Sequence, residues 1–206
     1  MANIKNLIFD FGGVLLDLDE RATYEAFMRM GLHAVPGDLG EANQAFQRGK
    51  ISERQFLDSL KKHMPSGVMD SQIKDAWCAM LRDVPGERLG LLEKLGKKYR
   101  LFLLSNTDDI HINCLAQRDE AALVRFESLF EKVYYSQRTG YRKPEPEIFE
   151  MVLRENGLVP SQTLFVDDIR ENAEAAGKVG MPYFWLDLSK YSFKDMPDIL
   201  ARYREE

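Results

Sequence analysis

Three short apolar segments of this chain each stop at residues with reactive or charged side chains. The segments are residues 7–11, 101–104 and 163–166. The polar residues at their ends are Asp10, Ser105, and the pair Asp167 and Asp168. A carboxylate at the end of a buried strand is costly unless it is paired or functional. Because ligands bind outside the carboxyl ends of the strands in an open parallel sheet, the pattern predicts a functional site at one edge of a sheet.

The hydrophobic spacing predicts an α/β fold that is interrupted after its first strand. From about residue 19 to about residue 83, the hydrophobic spacing is helical only, with helices expected at 21–30, 38–47, 52–63 and 70–81. Farther along, strands expected at 101–104, 133–135, 163–166 and 183–186 alternate with helices expected at 87–99, 108–117, 121–130, 146–156 and 171–179. Such alternation predicts a Rossmann-like parallel sheet with helices on both faces. We expect a core of residues 1–16 and 84–206, with an all-helical cap inserted at residues 17–83.

The composition argues against several classes of protein. The chain has 206 residues, 45% of them hydrophobic, which suits one domain with an insertion. Its 28 Lys and Arg against 33 Asp and Glu give a net charge of −5, which argues against a nucleic-acid partner. No apolar run approaches the ~18 residues of a membrane span, the first residues do not resemble a signal peptide, and the two cysteines have no metal or disulfide spacing. We expect a cytoplasmic monomer or weak homodimer without a membrane partner.

The residues at the strand ends predict a metal ion and a phosphoryl group. Three carboxylates that are brought together at neutral pH repel one another, and one proton or one divalent cation must relieve that repulsion. A set of oxygen ligands suits Mg²⁺. Lys143 lies in the loop after the expected strand at 133–135. Together with the Ser105 hydroxyl and backbone amides, it would then hold a phosphoryl group.

Four stretches of the sequence resemble the motifs of a known hydrolase superfamily. They are FDFGGVL at 9–15, LSNT at 104–107, RKP at 142–144 and VDD at 166–168. In this order, they resemble the four motifs of the haloacid dehalogenase-like (HAD) hydrolases, in the subfamily I branch with a small helical cap of the C1 type. The resemblance implies a Mg²⁺-dependent phosphatase that acts on a small phosphorylated metabolite through an aspartyl-phosphate intermediate.

The resemblance also implies which residues handle the phosphoryl group. Asp10 resembles the nucleophile that forms the aspartyl-phosphate, as carboxylates do in covalent catalysis. Ser105 and the backbone N–H of Asn106 would hydrogen-bond the phosphoryl oxygens, close to the backbone of Gly12. Lys143 would neutralise the nucleophile and the phosphate. The catalytic residues implied are therefore Asp10, Ser105 and Lys143.

The metal ligands that the resemblance implies lie on two of the expected strands. Asp168 would ligate Mg²⁺ directly, and Asp167 would be a second ligand or hold a metal-bound water. Asp10 and the backbone carbonyl of Gly12 would complete the protein ligands. Asn172 lies where relatives often place a further acid beside the metal.

One position departs from the family pattern. Most phosphatases of the superfamily have a second aspartate two residues after the nucleophile, and this chain has Gly12 there. The missing side chain is a general acid and base, whose help is typically worth ~10²–10⁴-fold in rate. We therefore hypothesise a sugar 1-phosphate substrate, because an anomeric hydroxyl is an acidic leaving group. The sequence resembles the glucose-1-phosphate phosphatase branch in this respect.

Two other functions remain open at the level of sequence. A metal-independent 2-haloacid dehalogenase also uses an aspartate nucleophile and lacks the second aspartate, but the pair of Asp167 and Asp168 favours a metal. A catalytically degenerate phosphate-binding protein is the other alternative, since Gly12 already removes one catalytic group.

Local structure offers simpler explanations for some of these residues. Either Asn106 or Thr107 is expected to cap the helix that follows, which leaves Ser105 for phosphate. The turn of Arg48, Gly49 and Lys50 is expected to be solvated, as charged turns usually are; the alternative is that it reaches over the phosphate pocket, as cap loops of relatives do.

Overall fold

A computed structural model describes residues 3–32 and 36–203 of the chain. Its centre is a five-stranded sheet in which every neighbouring pair of strands is parallel, in the order β3-β2-β1-β4-β5. The strands are β1 (Asn6–Phe9), β2 (Arg100–Ser105), β3 (Lys132–Tyr135), β4 (Thr163–Asp167) and β5 (Tyr183–Trp185). Because the chain builds β2 and β3 on one side of β1 and β4 and β5 on the other, the direction of winding reverses beside β1.

Helices cover both faces of this sheet, as the sequence predicts. Alternate residues of the strands point to opposite faces. Ile8 and Phe165 pack against α7 (Pro146–Glu155) and α8 (Arg170–Lys178). The opposite face packs against three helices, which are α5 (Gly86–Gly96), α6 (Asp109–Glu127) and α9 (Met196–Ala201). The fold is the predicted α/β Rossmann-like fold.

Four helices lie between β1 and α5. They are α1 (Glu20–Arg29), α2 (Gly37–Gln47), α3 (Glu53–Lys61) and α4 (Asp70–Cys78). Ser52 caps α3 in a reciprocal capping box with Gln55. Phe46 of α2 and Phe56 of α3 are buried and stacked, with ring centroids 4.5 Å apart. Both rings belong to the same continuous cluster of buried apolar residues as Leu7 and Phe9 of β1. We call these four helices the cap.

Two short segments join the cap to the sheet and run beside each other. The Asp17 N–H donates to the Asp83 carbonyl at 3.2 Å, and the Arg82 N–H donates to the Asp17 carbonyl at 3.0 Å. The side chain of Arg88, on α5, contacts the Asp17 carboxylate at 2.7 Å. Both ends of the cap are thus anchored at one place above the sheet.

The structure differs from the sequence prediction around α6. The helices expected at 108–117 and 121–130 form one element, in which Asp119 has non-helical backbone angles. The expected cap at Asn106 or Thr107 is wrong, because Asp108 caps α6 and accepts a hydrogen bond from the His111 N–H at 2.9 Å. Asn106 is occupied elsewhere, as described below. In the described residues, no helix is both long and apolar enough to cross a membrane.

The turn after α2 docks on the sheet domain through Gly49. Gly49 has φ +64°, and a Cβ placed there would lie 2.2 Å from the Gln137 carbonyl oxygen. Gly67 has φ +92° but nothing within 4 Å of such a Cβ. A left-handed backbone costs a residue other than glycine about 1–2 kcal/mol. We expect Gly49→Ala to lower the melting temperature clearly more than Gly67→Ala in thermal unfolding. Equal shifts would mean that Gly49 does not dock closely.

Candidate active site

The residues predicted from the strand ends meet where the sheet reverses its winding. Asp10 follows β1, Ser105 ends β2 and Asp167 ends β4, and β1 is the neighbour of both other strands. Such a point leaves a crevice outside the carboxyl ends of the strands. Here the crevice is a cavity of about 320 Å³ between the sheet and the cap.

Lys143 is buried at the base of this cavity between two carboxylates. Its Nζ lies 2.6 Å from Asp10 Oδ1 and 2.7 Å from Asp167 Oδ2, and its side chain is only 1% exposed. Burial alone would lower the pKa of Lys143, but the charges of Asp10 and Asp167 outweigh it and raise the pKa. The lysine therefore remains an ammonium ion that ties the two carboxylates together.

Asn106 holds the backbone of Lys143 in place. Asn106 Nδ2 donates to the Lys143 carbonyl at 2.8 Å, and the Lys143 N–H donates to Asn106 Oδ1 at 2.8 Å. This pair of hydrogen bonds joins the end of β2 to the loop before α7. It explains why the Asn106 side chain does not cap α6.

Both carboxylate oxygens of Asp167 are engaged by protein donors. Oδ1 accepts a hydrogen bond from the Ile169 N–H at 2.8 Å, and Oδ2 accepts one from Lys143. Asn172 Nδ2 lies 3.2 and 3.3 Å from the two oxygens. Asn172 is itself buried. Asp167 is thus fixed from three sides.

Asp168 is different, because Oδ1 is buried and has no hydrogen-bond partner among the described residues. Its carboxylate lies against Gly13, where a Cβ would be 2.3 Å from Asp168 Oδ2. Asp10, Asp167 and Asp168 each offer an oxygen within 4.8 Å of the others. A buried carboxylate oxygen that lacks a partner beside two further carboxylates fits a hard divalent cation such as Mg²⁺.

Burial and mutual repulsion raise the pKa values of two of these carboxyl groups. Burial and the charges of Asp167 and Asp168 raise the pKa of Asp10 to about 7, although the ammonium of Lys143 lowers it. Burial and the Asp167 charge raise the pKa of Asp168 to about 6. In the metal-free protein the folded state therefore holds protons that the unfolded chain has released, and the stability falls as the pH rises from about 4 to about 7.

Magnesium should stabilise the protein strongly at pH 8 and weakly at pH 5.5. The cation must displace protons from Asp10 and Asp168 at the lower pH. At a hundred times its dissociation constant, a ligand adds about 2.7 kcal/mol, or roughly 5–10 °C in melting temperature for a chain of this size. Thermal unfolding with MgCl₂ and with EDTA measures this, and Asp168→Asn should remove the effect. A shift that is as large at pH 5.5 as at pH 8 would contradict the prediction.

Comparison with known proteins agrees with this arrangement. Residues 4–180 match the family model described as haloacid dehalogenase-like hydrolase. The chain belongs to this family. It is also similar to D-ribitol-5-phosphate phosphatase of Bacteroides thetaiotaomicron, with 30% identity over 187 residues that cover 88% of this chain and 91% of the relative. The chain is therefore a HAD-like hydrolase.

Two solved HAD structures resemble the fold. A HAD family enzyme from Bacteroides thetaiotaomicron, solved with magnesium and inorganic phosphate, has a TM-score of 0.76 and 35% identity, and the match covers 88% of this chain and 93% of that one. A HAD-like hydrolase from Porphyromonas gingivalis has a TM-score of 0.82 and 29% identity, and the match covers both chains completely. The similarity thus includes the four cap helices as well as the sheet.

The structure brings together the predicted site residues of this HAD-like hydrolase. The predicted residues that line the cavity are Asp10, Gly12, Ser105, Asn106, Lys143, Asp168 and Asn172. Asp167 lies directly behind them, on Lys143. The turn of Arg48 does not reach over the pocket, because Arg48 donates from Nε to Glu145 Oε1 at 2.6 Å and is held beside the cavity. The Arg48 side chain is only 18% exposed, so it is not simply solvated either.

Among the other residues that line the cavity are five with polar or aromatic side chains to which the motifs assign no role. They are Asn43, Gln47, Trp77, His111 and Arg142. Arg142 directly precedes Lys143 in the chain, and this position in the sequence points to its place beside the cavity. Asn43 and Gln47 are one helical turn apart on α2 and lie in no sequence motif. Only the packing of the cap against the sheet brings them to the cavity.

An aromatic cluster joins the cap to the sheet domain at one side of the cavity. Trp77 of α4 donates from Nε1 to Asp108 Oδ2 at 3.0 Å and stacks on His111 with ring centroids 5.3 Å apart. A His111 ring nitrogen lies 3.1 Å from the Trp77 carbonyl. Trp77 therefore packs against α6 and also hydrogen-bonds the cap to the start of that helix.

Gly12 faces the segment that joins β1 to the cap. A Cβ at Gly12 would lie 2.8 Å from Leu18 Cδ1, the end of a flexible side chain that also lines the cavity. Leu18 therefore occupies part of the space into which a longer side chain at position 12 would extend. In this HAD-like hydrolase an apolar group stands near the place of the missing acid.

Proposed function

We propose that the protein is a Mg²⁺-dependent phosphomonoester hydrolase that acts on a small phosphorylated carbohydrate through an aspartyl-phosphate intermediate. The single observation that carries the proposal is the contact of Lys143 Nζ with Asp10 Oδ1 at 2.6 Å, within a cluster of three carboxylates that opens into the cavity. The phosphatase name of the Bacteroides relative and the magnesium and phosphate in a similar structure support it.

In the first step, Asp10 is the nucleophile. Lys143 holds Oδ1, which leaves Oδ2 to attack phosphorus. A bond forms between Asp10 Oδ2 and phosphorus, and the bond from phosphorus to the ester oxygen breaks. That oxygen keeps the bonding electrons and takes up a proton from water. The Ser105 hydroxyl and the Asn106 N–H donate hydrogen bonds to the phosphoryl oxygens, which positions the group and stabilises its charge.

In the second step, a water molecule hydrolyses the aspartyl-phosphate. The water oxygen bonds to phosphorus, the bond to Asp10 Oδ2 breaks and the water releases a proton to solvent. Inorganic phosphate leaves and the carboxylate is regenerated. Lys143 keeps its ammonium charge throughout, because Asp167 remains beside it at 2.7 Å.

Magnesium fits beside these residues. Asp10, Asp168 and the backbone carbonyl of Gly12 would hold it, with Asp167 as a further ligand or as the holder of a bound water. When bound, Mg²⁺ supplies positive charge to the phosphoryl oxygens. Asn172 and Lys143 keep Asp167 in place for that role.

The finer substrate hypothesis concerns the leaving group. With Gly12 in place of an acid, the ester that departs most easily is one with an acidic alcohol, such as a sugar 1-phosphate. The cap, which we assign to residues 17–83, would close over the ester and exclude water while it reacts. The apolar side chain of Leu18 lies beside the place that a Cβ at position 12 would occupy. This is consistent with a site in which no side chain at position 12 protonates the leaving oxygen.

Release of inorganic phosphate from a panel of esters tests the proposal. The panel contains sugar 1-phosphates, sugar 6-phosphates, polyol phosphates and nucleotides, with MgCl₂ or with EDTA. Asp10→Asn, which keeps the size of the side chain, is the blank. We expect release that needs Mg²⁺ and falls at least about 10⁴-fold in the blank, since covalent catalysis is lost. Faster release from 6-phosphates than from 1-phosphates would refute the leaving-group hypothesis alone.

A phosphate-binding protein without turnover is the second candidate, because Gly12 lacks the acid. It would bind inorganic phosphate with Mg²⁺ in calorimetry and release none from any ester. A dehalogenase would instead release halide from 2-haloacids in EDTA. The buried Asp168 Oδ1, which has no partner among the described residues, disfavours a metal-free reaction.

A further inference from the structure

The cap side of the cavity presents polar groups that the phosphate chemistry does not use. Asn43 and Gln47 project from successive turns of α2, and Arg142 approaches them from the loop that carries Lys143. These three side chains line the same cavity as Asp10 and Ser105. None of them belongs to the carboxylate cluster of Asp10, Asp167 and Asp168.

Arg142 and Gln47 are held together across the gap between cap and sheet domain. Arg142 Nε donates to Gln47 Oε1 at 3.0 Å. Glu145 does not neutralise the guanidinium by a direct pair, because its Oε1 binds Arg48 and its Oε2 accepts from the Arg142 backbone N–H at 3.1 Å. Burial and the nearby Arg48 lower the pKa of Arg142. Among residues 3–32 and 36–203, neither terminal nitrogen of Arg142 makes a hydrogen bond, so both remain available to a ligand.

Asn43 offers the opposite kind of group. Its Oδ1 is buried and has no hydrogen-bond partner in the part of the chain that the structure describes. A buried acceptor left without a donor costs about 1–3 kcal/mol. Because the Asn43 residue lines the cavity, rotation of its amide brings this oxygen to a donor of a bound molecule. The cap side of the cavity thus combines the carbonyl acceptor of Asn43 and the amide of Gln47, both on α2, with the guanidinium donors of Arg142.

We propose that Asn43, Gln47 and Arg142 determine specificity by binding hydroxyl groups of the leaving group, so that the substrate is the phosphate ester of a short polyhydroxylated carbon chain or ring. A hydroxyl group both donates and accepts a hydrogen bond, which matches the mixed set of amide and guanidinium groups. The cavity of about 320 Å³ is at the small end for ligand sites and leaves little room beyond a phosphate and a few carbons. This inference rests on the proposed phosphatase function.

The loss of kcat/KM when these hydrogen bonds to the substrate are removed tests the inference. A site built to hydrogen-bond a hydroxyl discriminates strongly against an analogue that lacks it. We therefore compare ribitol 5-phosphate and glucose 1-phosphate with phenyl phosphate, which has no hydroxyl on its leaving group. The variants are Asn43→Leu, Gln47→Met and Arg142→Met. For each we expect kcat/KM for the two polyhydroxylated esters to fall roughly ten-fold or more, while kcat/KM for phenyl phosphate changes less than about three-fold.

A matched control exists on the same helix. Gln44 also lies on α2, is exposed and does not line the cavity. Gln44→Met should leave all three esters unaffected, and thermal unfolding shows whether each variant is folded. Inhibition by the free product supplies a readout that is independent of turnover. Free ribitol should inhibit phenyl phosphate hydrolysis by the wild type and lose that effect in Asn43→Leu.

The outcomes separate this inference from the proposed function. If the wild type releases no phosphate from any of the three esters, the phosphatase proposal fails. If the wild type is active but the variants lose the same factor with phenyl phosphate as with the polyhydroxylated esters, the three residues only support the fold and the inference is wrong. It is equally wrong if folded variants lose nothing on any ester.

Discussion

Lys143→Met should abolish phosphate release and destabilise the protein, with a larger loss of stability at pH 8 than at pH 5.5. The substitution keeps the length of the side chain but removes the ammonium that contacts Asp10 and Asp167 at 2.6 and 2.7 Å. The removal of one partner from a buried ion pair typically costs about 3–5 kcal/mol, because it leaves a buried charge without compensation. Here two buried carboxylates lose their partner at once.

The pH dependence of the stability follows from the protonation of Asp10. Without Lys143, the pKa of Asp10 loses the influence that lowers it and rises further above about 7. At pH 5.5 the Asp10 carboxyl group takes up a proton and the defect is partly relieved. At pH 8 Asp10 must either ionise in a buried site or hold a proton at a pH above the pKa of a free carboxyl group, so the stability is lost as the pH rises. Mg²⁺ should restore part of the stability at pH 8, since it also neutralises the cluster.

Lys132→Met is the matched control. Lys132 pairs with Glu155 at 2.6 Å, but its side chain is 47% exposed, and exposed pairs contribute little. Denaturant unfolding at the two pH values measures both variants. If Lys143→Met unfolds like Lys132→Met at pH 8, the carboxylates of Asp10 and Asp167 are not held as ions by Lys143, and the electrostatic description of the site is wrong.

The core of the site could be predicted because its signals are local in sequence. Asp10, Ser105 and Asp167 each end an apolar run, and parallel strands place such ends at one edge. Ser52 and Gln55 form the expected capping box. Each of these predictions depends on residues within a few positions of one another.

The parts that sequence reasoning missed depend on contacts between distant segments. Asn106 looked like a helix cap, but it bonds the backbone of Lys143, which is 37 residues away. Asp108 caps α6 instead and also accepts a hydrogen bond from Trp77 of the cap. Asn43 and Gln47 have no local signal at all, because only the packing of α2 over the sheet turns that face toward the cavity.

Gly12→Asp should raise the turnover of ordinary alkyl phosphates by about 100-fold and of sugar 1-phosphates much less. General acid and base catalysis is worth ~10²–10⁴-fold where a leaving group needs a proton. An alkoxide is a poor leaving group and gains most from an acid, whereas an anomeric oxygen departs more readily without one. The new side chain must displace Leu18, whose Cδ1 lies 2.8 Å from the added Cβ position. The gain should therefore be larger in the double variant with Leu18→Ala, measured against Leu18→Ala alone.

Gly12→Asn separates acid catalysis from the other effects of a larger side chain. It has the size of aspartate and the same contact with Leu18, but its amide cannot donate a proton to a leaving oxygen as a carboxylic acid does. If Asn and Asp at this position act alike, the change is steric. If Gly12→Asp accelerates sugar 1-phosphates as much as alkyl phosphates, leaving-group acidity is not why the protein functions with a glycine there. Only a gain that is selective for the poorer leaving group supports the view that Gly12 restricts this chain to esters whose alcohol departs easily.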